Sequence, residues 1–345
     1  MSKLDLVTEA RNDPGADVLI VTNFWPHEAN PAYGIFAKRQ VDSLIARGLR
    51  CDVLSLRGFA GSAAYPLAAL KLAGASLRPR RQYRLVHAHG GEAGVVARFY
   101  ARAPLVVTYY GSDLLGIWDA AGGLSPARRL RRWIVRESAR AAAATVTQSR
   151  EMEQALPLRA RRRNRVIPNG IDTRLFRPLD REECRRALGW SDEERVVLFA
   201  ANPEAPVKRF PLAQEAFRRS RGLAGPVRLE VAWGISPAEM PRILSAADCL
   251  LLTSRAEGSP NVVKEAVMCD LPVVTTEVGD VRDVLAGVEP SWICRDDPDD
   301  LARAVAECVG RAERSNGSKV AGRLALEAVA EEVLALYADV GASRR

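Results

Sequence analysis

From Asp17 onward the chain alternates short runs of apolar, largely β-branched residues with longer stretches in which apolar positions recur every three to four residues. Short apolar runs bounded by turn residues read as buried strands, and the longer spacing reads as the inward face of a helix. Asp17–Thr22, Cys51–Leu56, Leu85–His89, Leu105–Tyr110 and Ala144–Ser149 predict five strands, with a helix over Gly34–Arg47 after the first. Turn residues cluster at Pro168, Asn169, Gly170 and Asp172, with Pro178 close behind, which predicts a hinge. The alternation then restarts with Val196–Ala201, Leu229–Trp233, Asp248–Ser254, Leu271–Thr276 and Ser291–Cys294. Such alternation favours parallel sheets wrapped by helices. The predicted fold class is α/β: two Rossmann-like, doubly wound domains over residues 1–172 and 173–318, facing a central cleft where ligands gather at the carboxyl ends of the strands. Residues 319–345 read as one long amphipathic helix built on Leu324, Val329, Val333, Leu336 and Tyr337, expected to pack back toward the N-terminal domain.

Composition narrows the class further. Of 345 residues 48% are hydrophobic and 27% charged, the balance of a folded globular chain and not of a disordered one. The most apolar stretch, Phe59–Leu77, is interrupted by Gly61, Pro66, Lys71 and Gly74, so no membrane-spanning helix is expected. Met1–Asp13 is too polar for a signal peptide, and the expected location is the cytoplasm. The six cysteines contain no Cys-x-x-Cys pair and read as reduced core thiols. Charge is uneven: 26 Lys and Arg against 13 Asp and Glu over residues 1–170, but 24 against 29 thereafter. A basic half suggests an anionic partner, although only six of the 50 basic residues are lysine and the arginine bias has a compositional explanation as well. Arg128, Arg132, Arg136 and Arg140 recur every four residues beside Leu130, Trp133 and Ile134, a pattern that suits peripheral contact with an anionic membrane. No nucleic-acid recognition motif accompanies the charge.

The chemistry concentrates in residues 248–276, which read as strand, loop, helix, strand. Ser259-Pro260 is a strong helix start, with Ser259 as the expected N-cap. The backbone amides of Asn261 and Val262 would then form an anion site fit for a diphosphate. Glu257 precedes the helix and Glu265 lies in its second turn, so two carboxylates approach one ligand from loop and helix. Both suit sugar hydroxyls, and a hydrogen bond to a charged group is worth about 1.5–3 kcal/mol.

This arrangement resembles the retaining nucleotide-sugar glycosyltransferases of the GT-B fold, family four, whose mark is the Glu-x7-Glu spacing of Glu257 and Glu265. The resemblance extends to Val166–Asp172 with Phe176 and Pro178, to Thr108-Tyr-Tyr-Gly-Ser-Asp113 and to Lys208-Arg209, and it covers residues 17 to about 310. It implies that Glu257 contacts the donor sugar, that Glu265 contacts the ribose, and that the diphosphate lies on the loop and amides of Gly258, Ser259, Asn261 and Val262. Lys208 matches the family's phosphate lysine, a point charge that neutralises the leaving group. The implied reaction needs no metal and no cofactor beyond the nucleotide-sugar co-substrate.

Two departures stand out. Where the family usually carries a second phosphate-binding arginine this chain has Asn202, with Arg209 as the candidate replacement. Tyr110 stands where histidine is common, and a phenol can hydrogen-bond there but cannot carry an imidazolium charge. The loop Asn23–Phe36 resembles the family's glycine loop, with Tyr33 for its first glycine and Gly34 free to let backbone approach a ligand. His89 and Asp113 at strand ends are further acceptor-side candidates. His87 and His89 share one strand face, but no third ligand suggests zinc.

Asp297-Pro298-Asp299 imitates an Asp-x-Asp metal motif but reads as a helix start. The absence of G-x-G-x-x-G and G-x-x-x-x-G-K-[ST] argues against a redox dinucleotide enzyme and a phosphate-loop ATPase. The expected function is sugar transfer to a lipid-linked or polysaccharide acceptor, since Glu257–Glu265 with Val278-Gly-Asp280 looks most like enzymes of bacterial surface polysaccharides. A small soluble acceptor, or a GT-B protein that binds a nucleotide sugar without transferring it, are the alternatives.

Overall fold

The structure, a computed structural model, describes residues 16–28, 30, 33–56, 64–77, 83–116, 123, 125–224 and 227–342. Met1–Asp13 and residues 59–63 of the apolar stretch lie outside them. Among the described residues no helix is long and apolar enough to cross a membrane.

The chain forms two compact units. The first runs through Gly170 and takes up the chain again from Leu326; the second holds Ile171–Ala325. The first contains a six-stranded sheet of β1 (Val18–Thr22), β2 (Cys51–Ser55), β3 (Leu85–His89), β4 (Leu105–Thr108), β5 (Ala144–Thr147) and β6 (Asn164–Val166), in the order β2-β1-β3-β4-β5-β6. The second contains β7 (Arg195–Phe199), β8 (Val227–Val231), β9 (Cys249–Leu252), β10 (Val273–Thr276) and β11 (Ser291–Cys294), in the order β11-β10-β9-β7-β8. Every pairing is parallel. Strands β1, β3, β4, β5, β9 and β10 are buried along their whole length, which is why they read as unbroken apolar runs.

Two expectations need correction. β6, a half-exposed edge strand of sequence Asn-Arg-Val, carries no apolar signal and was not predicted. The C-terminal segment is not one helix from residue 319: a short helix, Gly317–Val320, is followed by a 3-10 turn, Gly322–Leu324, and only then by the Leu326–Ala342 helix. The break lets the Ile171 amide donate to the Leu324 carbonyl (2.7 Å) within the second unit, while Val329, Val333, Leu336, Tyr337 and Val340 join Val18, Ile20 and Val106 in a core of the first.

Each sheet has a core on both faces, and all six cysteines are buried and unpaired. The second unit also buries an ionic node. Arg185, fully buried, donates to the carbonyls of Ala246 (2.9 Å), Ser191 (2.6 Å) and Glu194 (2.8 Å) and to Asp248 Oδ2 (2.6 Å). Asp248, just ahead of β9, also accepts from Arg181 and from the β7 amide of Val196 (2.7 Å). With every guanidinium nitrogen engaged, the cost of burial is met by bonds that only the folded backbone supplies. Breaking a buried pair costs about 3–5 kcal/mol, so Arg185→Ala should lower the unfolding free energy by that amount in urea denaturation. A change below about 1 kcal/mol would show that the node is dispensable.

Candidate active site

A parallel sheet presents all its carboxyl-end loops at one edge, and a crevice opens where the strand order reverses. In the second unit that point lies between β7 and β9. The loop after β7 carries Asn202–Arg209, and the loop after β9 carries Ser254–Ser259. They are stitched together by the Arg255 amide on the Val207 carbonyl (2.8 Å) and by Thr253 Oγ1 on the Lys208 carbonyl (3.0 Å). The result brings Lys208 Nζ to 2.5 Å from Glu257 Oε1, a carboxylate oxygen that also accepts from Ser254 Oγ at 2.6 Å. Lys208 and Glu257 are each partly exposed, so the pair can meet a ligand.

The adjacent helix runs Asn261–Met268, one residue later than expected, and Ser259 is not its side-chain cap. Ser259 Oγ instead donates to Asp280 Oδ2 (2.5 Å) and accepts from Lys264 Nζ (2.8 Å). Glu265 lies on the half-buried face of that helix, and Val262 packs against the core beneath it. The turn after β10 presses on the same loop: Gly279 has φ +57°, and a Cβ there would lie 2.9 Å from the Gly258 carbonyl oxygen.

Arg209, the candidate replacement for the missing phosphate arginine, is engaged by Thr253 and Asp296. Its φ is +50°, and its guanidinium donates to the Thr253 carbonyl (2.8 Å) and, through Nη1, to both carboxylate oxygens of Asp296 (2.6 and 2.5 Å). There it lines a cavity of about 460 Å³ with Ser254, Arg255, Arg282, Arg295 and Asp296. The Asn202 side chain accepts from the Glu204 amide (3.0 Å) as a turn former. Asp297 caps the Pro298–Arg311 helix by accepting from the Asp299 amide (2.7 Å), as its sequence context predicted.

In the first unit the order reverses between β1 and β3. His89 ends β3, fully buried, with Nδ1 2.5 Å from Tyr110 Oη and Nε2 buried without a hydrogen-bond partner. Burial holds its imidazole down to about 3, so it is neutral at physiological pH. Asn23 Oδ1, after β1, is a second buried polar atom without a hydrogen-bond partner. Phe24 and Phe36 pack on Tyr110 at 5.3 and 4.7 Å between ring centres. His87 belongs to the scaffold, bridging Tyr337 Oη (2.6 Å) and Thr108 Oγ1 (2.7 Å). Gly34, φ +66°, makes its close approach to the backbone of Phe24 and Trp25, where a Cβ would collide, and not to open space.

Asp113 is buried, and its carboxylate accepts from the amides of Gly91 (3.0 Å), Tyr110 (3.1 Å), Gly111 (3.0 Å) and Leu114 (3.1 Å). Burial, with Glu92 nearby, raises the carboxyl to about 6 against those amides. Asp113 therefore holds the Tyr110 loop. Sequence reasoning gave no individual role to Ser254, Lys264, Asp280 or Asn23, although Asn23 and Asp280 lie in segments it singled out. Lys264 alone had a visible signal, a cation among Val263, Ala266 and Val267 on the helix's buried stripe. Among the described residues no group of three His, Cys, Asp or Glu could hold a metal ion.

Comparison with known proteins places this geometry. Residues 4–170 match the family model for a glycosyl transferase 4-like domain, and residues 195–311 match that for glycosyl transferases group 1. The chain belongs to the family-four glycosyltransferases of the GT-B fold. The D-inositol 3-phosphate glycosyltransferase of Geodermatophilus obscurus is 28% identical to this family-four chain over 299 residues, 74% of this chain and 66% of the relative. The family-four chain thus spans just under two thirds of that relative's length. Sucrose-phosphate synthase from Thermosynechococcus elongatus shares the fold with a TM-score of 0.73 and 18% identity over 94% of this chain and 99% of its own. Anabaena HepE in complex with UDP does so at 0.64 and 18%, covering 94% of this chain and 100% of its own.

Because four buried amides share the Asp113 carboxylate, Asp113→Ala should cost about 3 kcal/mol or more in denaturant unfolding. A stability loss within about 0.5 kcal/mol would leave Asp113 free for another role.

Proposed function

We propose that the chain is a retaining glycosyltransferase that transfers a sugar from a nucleoside diphosphate to an acceptor hydroxyl without a metal ion. The observation that carries this reading is the convergence, at the β7–β9 crevice, of Lys208, Glu257 and the start of the Asn261–Met268 helix. Amides at a helix start, including those of Asn261 and Val262, favour a diphosphate. Lys208 exchanges Glu257 for the departing phosphate and neutralises the charge that grows there. Ser254 keeps Glu257 in place, leaving its second oxygen for a hydroxyl of the donor sugar, while Glu265 takes the ribose. The bond from the sugar's anomeric carbon to the phosphate oxygen breaks as the acceptor oxygen bonds to that carbon on the same face. The acceptor proton passes to the departing phosphate. The UDP held by HepE supports a nucleotide donor.

For the acceptor, the first unit offers Asn23, His89 and Tyr110, with Gly34 and Asp113 as the supports of their loops. The Pro126–Ser138 helix supports a lipid-linked acceptor: it packs through Val135 while exposing Leu130 (57%), Trp133 (59%) and Ile134 (42%) among arginines. An apolar ridge flanked by guanidinium groups suits the headgroup boundary of an anionic membrane. A soluble, phosphate-bearing acceptor is the second reading, favoured by the names of the inositol-phosphate and sucrose-phosphate relatives.

Titration calorimetry of UDP, GDP, ADP and dTDP in EDTA should find one nucleotide binding in the micromolar range. Glu265→Ala should weaken it about ten-fold, the equivalent of ~1.4 kcal/mol. A wild type that binds none of the four sinks the donor site. For the membrane face, co-sedimentation with phosphatidylglycerol vesicles should be strong for the wild type and lost in Leu130→Ser with Trp133→Ser. Equal sedimentation of both would turn the acceptor reading toward a soluble compound.

A further inference from the structure

The donor loop lacks the second cation that its relatives' pattern would place at Asn202, and Arg209 is committed to Asp296. One more cation lies close by. Lys264, fully buried, reaches back along its helix and donates to Ser259 Oγ at 2.8 Å, directly beneath the loop from Glu257 to Pro260. That direction is the one helical side chains favour, toward the N-terminus of their own helix. A buried ammonium at the positive end of a helix is electrostatically costly, because the dipole and the charge have the same sign. Asp280 offsets part of that cost, as the acceptor of the Ser259 hydroxyl at 2.5 Å, yet its Oδ1 is buried with no hydrogen-bond partner. The ammonium is thus held in a buried place beneath the loop, and an anion arriving on that loop would stabilise its charge further.

We propose that Lys264, acting through Ser259, provides the second positive charge for the donor's diphosphate, with Asp280 as its counter-ion in the empty site. The inference rests on the donor reading above. Lys264 is a positioning residue, since it touches the loop and not the nucleotide. Residue type supports it: a chain with only six lysines among 50 basic residues uses two of them, Lys208 and Lys264, at this loop. An ammonium changes protonation readily when buried, whereas a guanidinium does not.

The groups facing Lys264 are Asp280 from the turn after β10 and Glu265 from its own helix, and Asp283 bears on Asp280. Burial lowers the Lys264 ammonium to about 8 and raises the Asp280 carboxyl. A diphosphate arriving above them favours the protonated form of both, so binding near pH 8 draws in a proton. As pH rises through 8 to 9.5, Lys264 loses its charge and diphosphate affinity falls. Removing the Asp280 charge by Asp280→Asn lowers the Lys264 pKa further, so that fall should begin at lower pH.

The experiment is calorimetry of UDP and UMP, or of the base pair of nucleotides that the wild type prefers, at pH 8 in buffers of different ionisation enthalpy. Wild type should take up a fraction of a proton with UDP and less with UMP. Lys264→Met, which keeps the side chain's length without its charge, should weaken UDP about ten-fold, spare UMP within two- to three-fold and abolish the proton uptake. A variant that binds UDP as the wild type does, or loses UDP and UMP alike, overturns the proposal. Should Lys264→Met fail to fold, wild-type binding with no proton uptake, or an Asp280→Asn profile that does not move to lower pH, overturns it equally. A wild type that binds neither nucleotide overturns the donor reading itself, which separates the two failures.

Discussion

The pairing of β7 with β9 is the constraint on which the Lys208–Glu257 contact depends. The two strands share only a short parallel register, Val197 with Cys249 and Leu198 with Leu250. At one end Asp248 locks that register through the Val196 amide and the buried Arg185. At the other end the loops are tied by Val207 and Arg255. A slip of one residue would reverse every side chain between the two faces of the sheet and separate Lys208 from Glu257. The polar node at the foot of the strands is therefore what makes the contact at their carboxyl ends reproducible, although the two lie at opposite edges of the sheet.

Much of the architecture was legible because parallel strands buried on both faces leave continuous apolar runs. Ten of the eleven strands are foreshadowed by their apolar residues, the half-exposed edges β8 and β11 included, and β6 is not, because Asn, Arg and Val offer little apolar surface to bury. The Glu257 and Glu265 spacing, together with Lys208, identified the loops that converge. Side-chain roles were harder. Ser259 was expected at the cap because Ser-Pro is a common helix start, but a buried ammonium and a carboxylate compete for its hydroxyl more strongly than a neutral amide does. Arg209 illustrates the same limit: adjacent basic residues read as one patch in a sequence, while in the fold Lys208 pairs with Glu257 and Arg209 with Asp296.

Each unit holds both matched and unmatched buried polar groups. In the second, Arg185 and Asp248 form a network in which the donors and acceptors are matched. In the first, His89 Nε2 and Asn23 Oδ1 are left without partners at the carboxyl ends of β3 and β1. Such groups cost free energy in isolation and are tolerated where something else completes them.

The chain path has a consequence for the order in which the protein takes shape. The second unit is continuous in sequence from Ile171 to Ala325, but the first is closed by a helix that begins at Leu326, and the hydroxyl that satisfies His87 belongs to Tyr337. During synthesis from the N-terminus, the later unit has all its residues before the earlier one does. The first sheet must therefore wait with the apolar groove for Val329, Val333 and Leu336 uncovered while some 150 intervening residues emerge and fold. A chain interrupted before Leu326 would have the residues of the second unit in place while the first still lacked its closing helix.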